Sequence, residues 1–324
     1  MQRKALIVGI DNYTNNKLTG CVNDAQAIKA VLSKNEDGSP NFDVQFRRDL
    51  ETRAALCELV KKCFSGDSDI ALFYFSGHGF RDNETNQGYL VTPDSCEGNY
   101  GLALDELVTI ANNSQCRNKV IILDCCYAGS AGESMLLGGN SVINEGVTIL
   151  CASRSTEEAI EVNGHGVFTS LLEEALKGGA ADITGHITPG GIYAFVDKAL
   201  GPWDQRPIFK TNVTSFVSLR KVKPQVDEAT LRKISNFFEK PDNEYPLDPS
   251  YEFTNTEEAT HEIKEPYSDE ENVKTFKALQ ALESVGLVRP VEAEHMYFAA
   301  MNSKSCELTA LGKHYWRLAK EGKI

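Results

Sequence analysis

Apolar residues follow two rhythms along the first two thirds of the chain. Lys4 to Ile10, Asp69 to Phe75, Lys119 to Leu123 and Gly146 to Ala152 are short, nearly continuous apolar runs that read as buried strands. Between them, Asn23 to Leu32 places Ala25, Ile28, Val31 and Leu32 on one helical face, and Asp43 to Leu50 alternates as a strand. Thr52 caps a helix running through Phe64, and Leu104 to Asn112 and Phe168 to Leu176 read as further helices. Strands alternating with helices predict an α/β fold, a mostly parallel sheet with helices on both faces. Gln205 to Leu219 supplies the last strands.

After Arg220 the pattern changes. Lys221 to Gln225 reads as a linker, dividing the chain into residues 1–223 and 224–324, and Pro241 to Tyr267, with further prolines at 246, 249 and 266 among many carboxylates, reads as irregular. Val273 to Val285 is a helix with Val273, Phe276, Leu279 and Leu282 on one face, and Gly286 ends it. Met296 to Met301 reads as one strand of a hairpin and Leu308 to Ala319 as a final helix. Helix, Gly-Leu-Val, hairpin and helix over residues 270–324 resemble a winged-helix module. Residues 225–324 carry 12 Lys+Arg against 19 Asp+Glu, a balance that favours contact with a regulatory protein over nucleic acid. Lys313, Arg317, Lys320 and Lys323 form the one short basic stretch that points the other way.

Composition narrows the setting further. The 324 residues are 41% hydrophobic and 24% charged, enough to bury a full core, and the net charge of −13 disfavours nucleic acid or an anionic membrane as the main partner. No apolar run approaches the roughly 18 to 20 residues of a membrane span, and Ala5 to Ile10 is too short for a signal-peptide core. Nine cysteines without a framework pattern point to free thiols in a reducing, cytoplasmic compartment. No Cys/His cluster has zinc-like spacing, so neither a metal nor another cofactor is expected.

Two strand ends carry the candidate chemistry. Ser76-Gly77-His78-Gly79 closes one apolar run, and Asp124-Cys125-Cys126-Tyr127-Ala128-Gly129 closes another 48 residues further on. In a parallel sheet the carboxyl ends of two strands reach the same edge, so a His and a Cys placed there can meet. An ordinary thiol is only a few per cent thiolate at neutral pH, and a positioned imidazole raises that fraction. Gly79 lets the backbone approach a substrate, and its N–H with that of the nucleophilic cysteine can donate to an oxyanion. His165 and His186 follow no buried strand and read as loop histidines. Cys21 and the other cysteines read as packing residues.

Ala5 to Ile10, Gly20-Cys21-Val22-Asn23-Asp24-Ala25, Ser76 to Gly79 and Asp124 to Gly129 occur in the order found in the caspase and metacaspase superfamily, which residues 4–219 resemble. The resemblance implies a caspase-like sheet and a cysteine endopeptidase with His78 and Cys126 as its dyad. Cys126 is the nucleophile because it is the third residue of the Asp-x-Cys motif, and Cys125 is then a neighbour. Positions matching the metacaspase primary pocket are Asp24 and Asp124, with Ser153 as a further lining residue. Two carboxylates favour a basic guest, Arg ahead of Lys, so the expected partner is a protein substrate with exposed Arg or Lys. Asp24 can also cap a helix beginning at Ala25, a role compatible with the first. Residues 81–99 hold only scattered Asp82, Glu84, Asp94 and Glu97, so calcium dependence is not expected. Residues 127–153 contain no Lys or Arg, which moves any self-cleavage to Arg220, Lys221 and Lys223. The resemblance places such a chain among bacterial-type single-chain members with an appended domain, working in regulated proteolysis or in immune and cell-death responses. An inactive scaffold and a nucleic-acid-responsive regulator are the alternatives.

Overall fold

Residues whose side chains are apolar on both sides of the backbone form the middle of the structure. The computed structural model describes residues 2–82, 84–125, 133–134, 140–141, 143–152, 161–162, 165–200, 207–257 and 263–324. These fall into two compact units, Met1–Lys223 and Pro224–Ile324. The principal elements of the first are β1 (Arg3–Gly9), α1 (Cys21–Ser33), β2 (Asp43–Arg48), α2 (Arg53–Cys63), β3 (Ile70–Ser76), β4 (Gly79–Arg81), β5 (Gly88–Leu90), β6 (Leu102–Ala103), α3 (Leu104–Asn112) and β7 (Asn118–Asp124). They continue with β8 (Val147–Cys151), α4 (Val167–Glu174), β9 (His186–Ile187), α5 (Pro189–Leu200), β10 (Ile208–Asn212) and β11 (Arg220–Lys221).

The main sheet has the order β10-β8-β7-β3-β1-β2. All its neighbours pair in parallel except β10, which runs antiparallel to β8. Because side chains alternate along a strand, β3 sends Phe73 and Phe75 into a layer with Leu56 and Val60 of α2 and Leu107 of α3. Leu72 and Tyr74 face the opposite layer, with Ile28 of α1, Leu172 of α4 and Ile192 of α5. Each large apolar side chain buried there contributes about 1.5–3 kcal/mol. This is the α/β architecture that the alternating pattern predicts. The Thr52 cap is present too, with its Oγ1 accepting from the Ala55 N–H at 3.2 Å.

The chain leaves β1 toward β2 on one side and returns to β3 on the other, so the direction of winding changes between β1 and β3. Such a switch leaves a crevice outside the carboxyl ends of those strands. Gly9, Ser76 and Asp124 lie in register across β1, β3 and β7, so three strands end level at that crevice.

Several sequence expectations change. Arg220 and Lys221 are not a loose junction: they form β11, paired with β9. Arg220 is held further by bonds from its Nε to the Lys34 carbonyl at 3.0 Å and its Nη1 to the Leu176 carbonyl at 2.7 Å. A peptidase needs an extended, accessible backbone, and this one is occupied. His186 belongs to β9 rather than to a loop.

The second unit contains α6 (Glu228–Phe237), β12 (Glu244–Pro246), α7 (Glu270–Ser284), β13 (Val288–Val291), α8 (Met296–Met301), β14 (Ser305–Leu308) and α9 (Ala310–Lys320). Its sheet has the order β12-β14-β13, antiparallel throughout. Met296–Met301 is therefore a helix, not a hairpin strand. Met296, Ala299, Ala300 and Met301 are its buried residues, the first three at the three- and four-residue spacing of a helix, while the strands are Val288–Val291 and Ser305–Leu308. The segment 241–267 is not wholly irregular, since it contributes β12. Lys313 of the basic stretch is ion-paired with Asp242, and Lys323 with Glu321.

Gly9 closes β1 against the start of α1, where an added Cβ would run into the Cys21 carbonyl oxygen and lie 2.8 Å from the Val22 Cα. Gly9→Ala is expected to destabilise the chain by about 1–3 kcal/mol through overpacking, read as a lower urea midpoint at unchanged slope. An unaltered midpoint would show that the strand and helix separate freely.

Candidate active site

The polypeptide turns sharply where β3 ends, and it can do so because residue 77 has no side chain. A Cβ at Gly77 would lie 2.5 Å from the Tyr13 Oη and 2.9 Å from the Phe75 ring. The space is taken instead by Tyr13, whose Oη accepts the His78 backbone N–H at 2.9 Å and donates to the Val91 carbonyl at 3.3 Å. The Tyr13 ring also packs on the imidazole, with centroids 4.5 Å apart. Burial raises the Tyr13 phenol well above its ordinary pKa, so the hydroxyl stays neutral and keeps its proton to donate.

The His78 ring is oriented by a backbone oxygen. Its Nε2 lies 2.6 Å from the Asn16 carbonyl. A carbonyl only accepts, so Nε2 carries a proton, and it is Nδ1 that would accept one. Asn16 has a φ of 56°, the left-handed region that Asn tolerates better than most residues. The ring is thereby fixed in a tautomer fit to take a proton at Nδ1.

Gly79 opens β4, an edge strand of the small antiparallel sheet β4-β5-β6. Val91 N–H bonds to the His78 carbonyl and Asp82 N–H to the Gln87 carbonyl, while Gly79 pairs with Leu90 between them. Hydrogen-bonded and non-bonded pairs alternate along an antiparallel ladder, so the Gly79 N–H faces away from β5. That is the orientation an oxyanion donor needs.

Asp124 is the last residue of β7, level with Ser76, and its carbonyl accepts the Gly77 N–H at 3.4 Å. Its carboxylate is buried and accepts a hydrogen bond from the Thr169 hydroxyl at 2.5 Å. With its one hydrogen so engaged, Thr169 Oγ1 must accept from the Tyr74 hydroxyl 2.6 Å away. Asp24 sits in the first turn of α1, also buried, and accepts the Gly166 N–H at 3.0 Å. Asp24 does not cap the helix. α1 begins at Cys21, and its leading amides at Cys21 and Val22 go to the Asp11 carboxylate at 2.9 and 3.3 Å.

The two carboxylates converge on Gly166, the last residue of a short strand pair, Glu161–Val162 with His165–Gly166. A Cβ there would clash with Asp124 Oδ2 and lie 3.3 Å from Asp24 Oδ2. Burial raises the Tyr74 phenol well above its usual pKa, and the charges of Asp124 and Asp24 add to the effect. Like charges brought together in a buried place favour a cation.

Cys126 and Ser153, the other two residues singled out in the sequence, lie outside the described residues. Cys125 is buried in the layer with α2 and α3, as a packing residue. Asp82 and Asp94 are spent on turns and on the α2 amide of Arg53. Among the described residues no group of three or more His, Cys, Asp or Glu could hold a metal ion. Sequence reasoning missed Tyr13, Asn16, Gly166 and Thr169. Only Thr169 left a trace, as a polar residue on the buried face of α4 between Phe168 and Leu172. A cavity of about 770 Å³ lined by Arg3, Ile70, Asn118, Gly146 and His186 lies at the opposite, amino ends of the strands, and is separate from this site.

Metacaspase-9 of Arabidopsis thaliana is 29% identical over 160 residues, 44% of this chain and 48% of that protein. Metacaspase-1 of the same plant is 29% identical over 98 residues, 26% of each. The chain thus spans less than half the length of either relative. Among solved structures, GSU0716 from Geobacter sulfurreducens matches with a TM-score of 0.52 at 17% identity, covering 69% of this chain and 98% of that one, a similarity of fold. Residues 2–233, well over half the chain, match the family model described as the caspase domain, and the chain belongs to that family of peptidases.

Proposed function

We propose that this chain is a cysteine endopeptidase in which Cys126 is the nucleophile and His78 its base, cutting proteins after basic residues with Arg preferred to Lys. The observation that carries the reading is the meeting of Asp24 and Asp124 at Gly166, beside the strand end that leads into His78. An Arg guanidinium presents a planar fork to such a pair, whereas Lys presents a point charge. A carboxylate in the same place would be repelled.

In the proposed reaction the Cys126 thiol passes its proton to His78 Nδ1, and the thiolate attacks the carbonyl carbon of the scissile bond. The carbonyl oxygen takes up the negative charge and is met by the N–H groups of Gly79 and Cys126. As the C–N bond breaks, the His78 imidazolium returns the proton to the leaving amine. A water molecule, deprotonated by the same nitrogen, then hydrolyses the thioester and restores the thiol. Asn16 and Tyr13 do not touch the substrate in this scheme; they hold the ring. The acidic second unit, with Lys313 and Lys323 already ion-paired, fits a protein contact that regulates or targets the peptidase.

Fluorogenic peptides ending in Arg, Lys or Asp test the reading. Arg substrates are expected to be cut fastest, Lys more slowly and Asp not measurably, while Cys126→Ala and His78→Ala each lose about 10²–10⁴-fold or more in kcat/KM. Equal rates for wild type and Cys126→Ala, or a profile led by Asp, would refute it. The pocket is tested separately with citrulline, the uncharged isostere of Arg. Wild type is expected to favour Arg over citrulline, and Asp24→Asn or Asp124→Asn to lower that preference by about 10- to 100-fold, the value of charge-assisted hydrogen bonds. Retention of the full preference in both variants would place the specificity elsewhere. Tyr13→Phe removes the acceptor of the His78 N–H, and about a five- to tenfold fall in kcat at nearly constant KM is expected from one lost hydrogen bond. A change confined to KM would contradict the positioning role.

A further inference from the structure

The strand that leads away from His78 carries a patch of aromatic side chains that the core does not use. Gly79 pairs with Leu90, and Leu90 with Leu102, and both leucines are fully buried. That face of the β4-β5-β6 sheet is therefore turned inward. Side chains alternate across a strand, and the Val91 to His78 hydrogen bond extends the ladder to residue 78, so His78 and Phe80 share the outward face. Tyr89, opposite Phe80, lies on that face as well.

Phe80 is 38% exposed, although it sits in the middle of a regular strand. Its ring is 4.7 Å from that of Tyr100 and 6.3 Å from that of Tyr89, and the two tyrosines meet edge-on at 5.4 Å. The three rings form one platform at the surface. Its surroundings carry both signs: besides burial, the charges of Asp82 and Asp105 raise the Tyr89 phenol and that of Arg53 opposes them, but Arg53 is itself ion-paired with Glu106 at 2.8 Å. The Asp82 carboxyl is held low by the Glu84 backbone N–H and the Thr85 hydroxyl. Aromatic faces with carboxylates beside them attract flat cations. Guanidinium stacks on such faces and is less strongly hydrated than ammonium.

We propose that Phe80, Tyr89 and Tyr100 form a subsite for an arginine one or two residues beyond the scissile bond. The proposal rests on the reading of His78 as the group that protonates the leaving amine. That role puts the leaving nitrogen within hydrogen-bond reach of the imidazole, and the chain beyond it must then pass over the face that His78 and Phe80 share. One strand step of two residues separates them, roughly 7 Å, which is the reach of the first or second side chain after the cut. Together with the carboxylates at Gly166, the platform makes the preferred sequence a cluster of basic residues with the cut inside it.

The test uses the full chain and internally quenched peptides with a constant Arg before the scissile bond and Arg, Ala or Glu at the two positions after it. Arg is expected to exceed Ala by about two- to fivefold in kcat/KM, the scale of an exposed cation–π contact, with Glu below Ala. In Phe80→Ala and Tyr100→Ala that ratio falls toward one, while the preference for Arg over Lys before the bond persists. The Cys126→Ala chain is titrated calorimetrically with the same peptides, and the Arg peptide is expected to bind several-fold more tightly than the Glu peptide. Cleavage and binding that are both indifferent to the residues after the cut would overturn the subsite and leave the peptidase reading standing. No cleavage of any peptide, with the binding preference present and lost in Phe80→Ala, would overturn the peptidase reading and with it the subsite's place beyond a cut, leaving the three rings as an arginine-binding platform.

Discussion

Everything at this site depends on three parallel strands ending level. The register of β1, β3 and β7 puts Gly9, Ser76 and Asp124 side by side, and the residues that follow leave the sheet at one edge. Parallel pairing of buried strands tolerates little slippage, because a shift of one residue would turn Phe73 and Phe75 out of one layer and Leu72 and Tyr74 out of the other. The hydrophobic layers therefore do more than hold the sheet together. They set the height at which Asp124 and His78 emerge.

Glycines do the remaining positioning by leaving room. Gly77 makes way for the Tyr13 hydroxyl, and Gly166 lets two carboxylates approach one stretch of backbone. At Gly77 the space is filled by a hydrogen-bonded latch on the histidine, and at Gly166 by negative charge. Backbone groups then supply much of the polar chemistry: the Asn16 carbonyl, the Gly166 N–H and the outward N–H of Gly79. Such groups have almost no conformational entropy to lose when a substrate arrives, which suits them to preorganised electrostatics.

The main sheet and its flanking helices were legible because apolar runs and helical stripes are local patterns, and the strand-end positions of His78 and Asp124 followed from them. What did not follow was any contact made by a residue without a pattern around it. Tyr13 and Asn16 lie in a loop more than 60 residues from His78, and nothing in the order of residues links them. Gly166 is separated from Asp24 by 142 residues. The Met296–Met301 segment was misread for a different reason. Six mostly apolar residues fit a strand or a helix equally by composition, and only the burial of positions 296, 299, 300 and 301, with Phe298 left exposed, decides between them. The helix start at Cys21 was hidden because its amides are taken by Asp11, ten residues upstream, instead of by an adjacent side chain.

That last arrangement has an electrostatic consequence. The amino end of a helix behaves as a partial positive charge and is a natural resting place for a nearby carboxylate. Asp11 already occupies that end of α1, and Asp49 in turn anchors Asp11 by accepting its backbone N–H at 2.9 Å. The helix dipole is thus met by one acid so that another, Asp24 in the first turn, can direct its charge sideways toward Gly166. Two acids that look interchangeable on paper are thus set apart: Asp11 is spent on the helix amides, and Asp24 is left to meet the backbone at Gly166, the place that the proposed recognition of a basic residue requires.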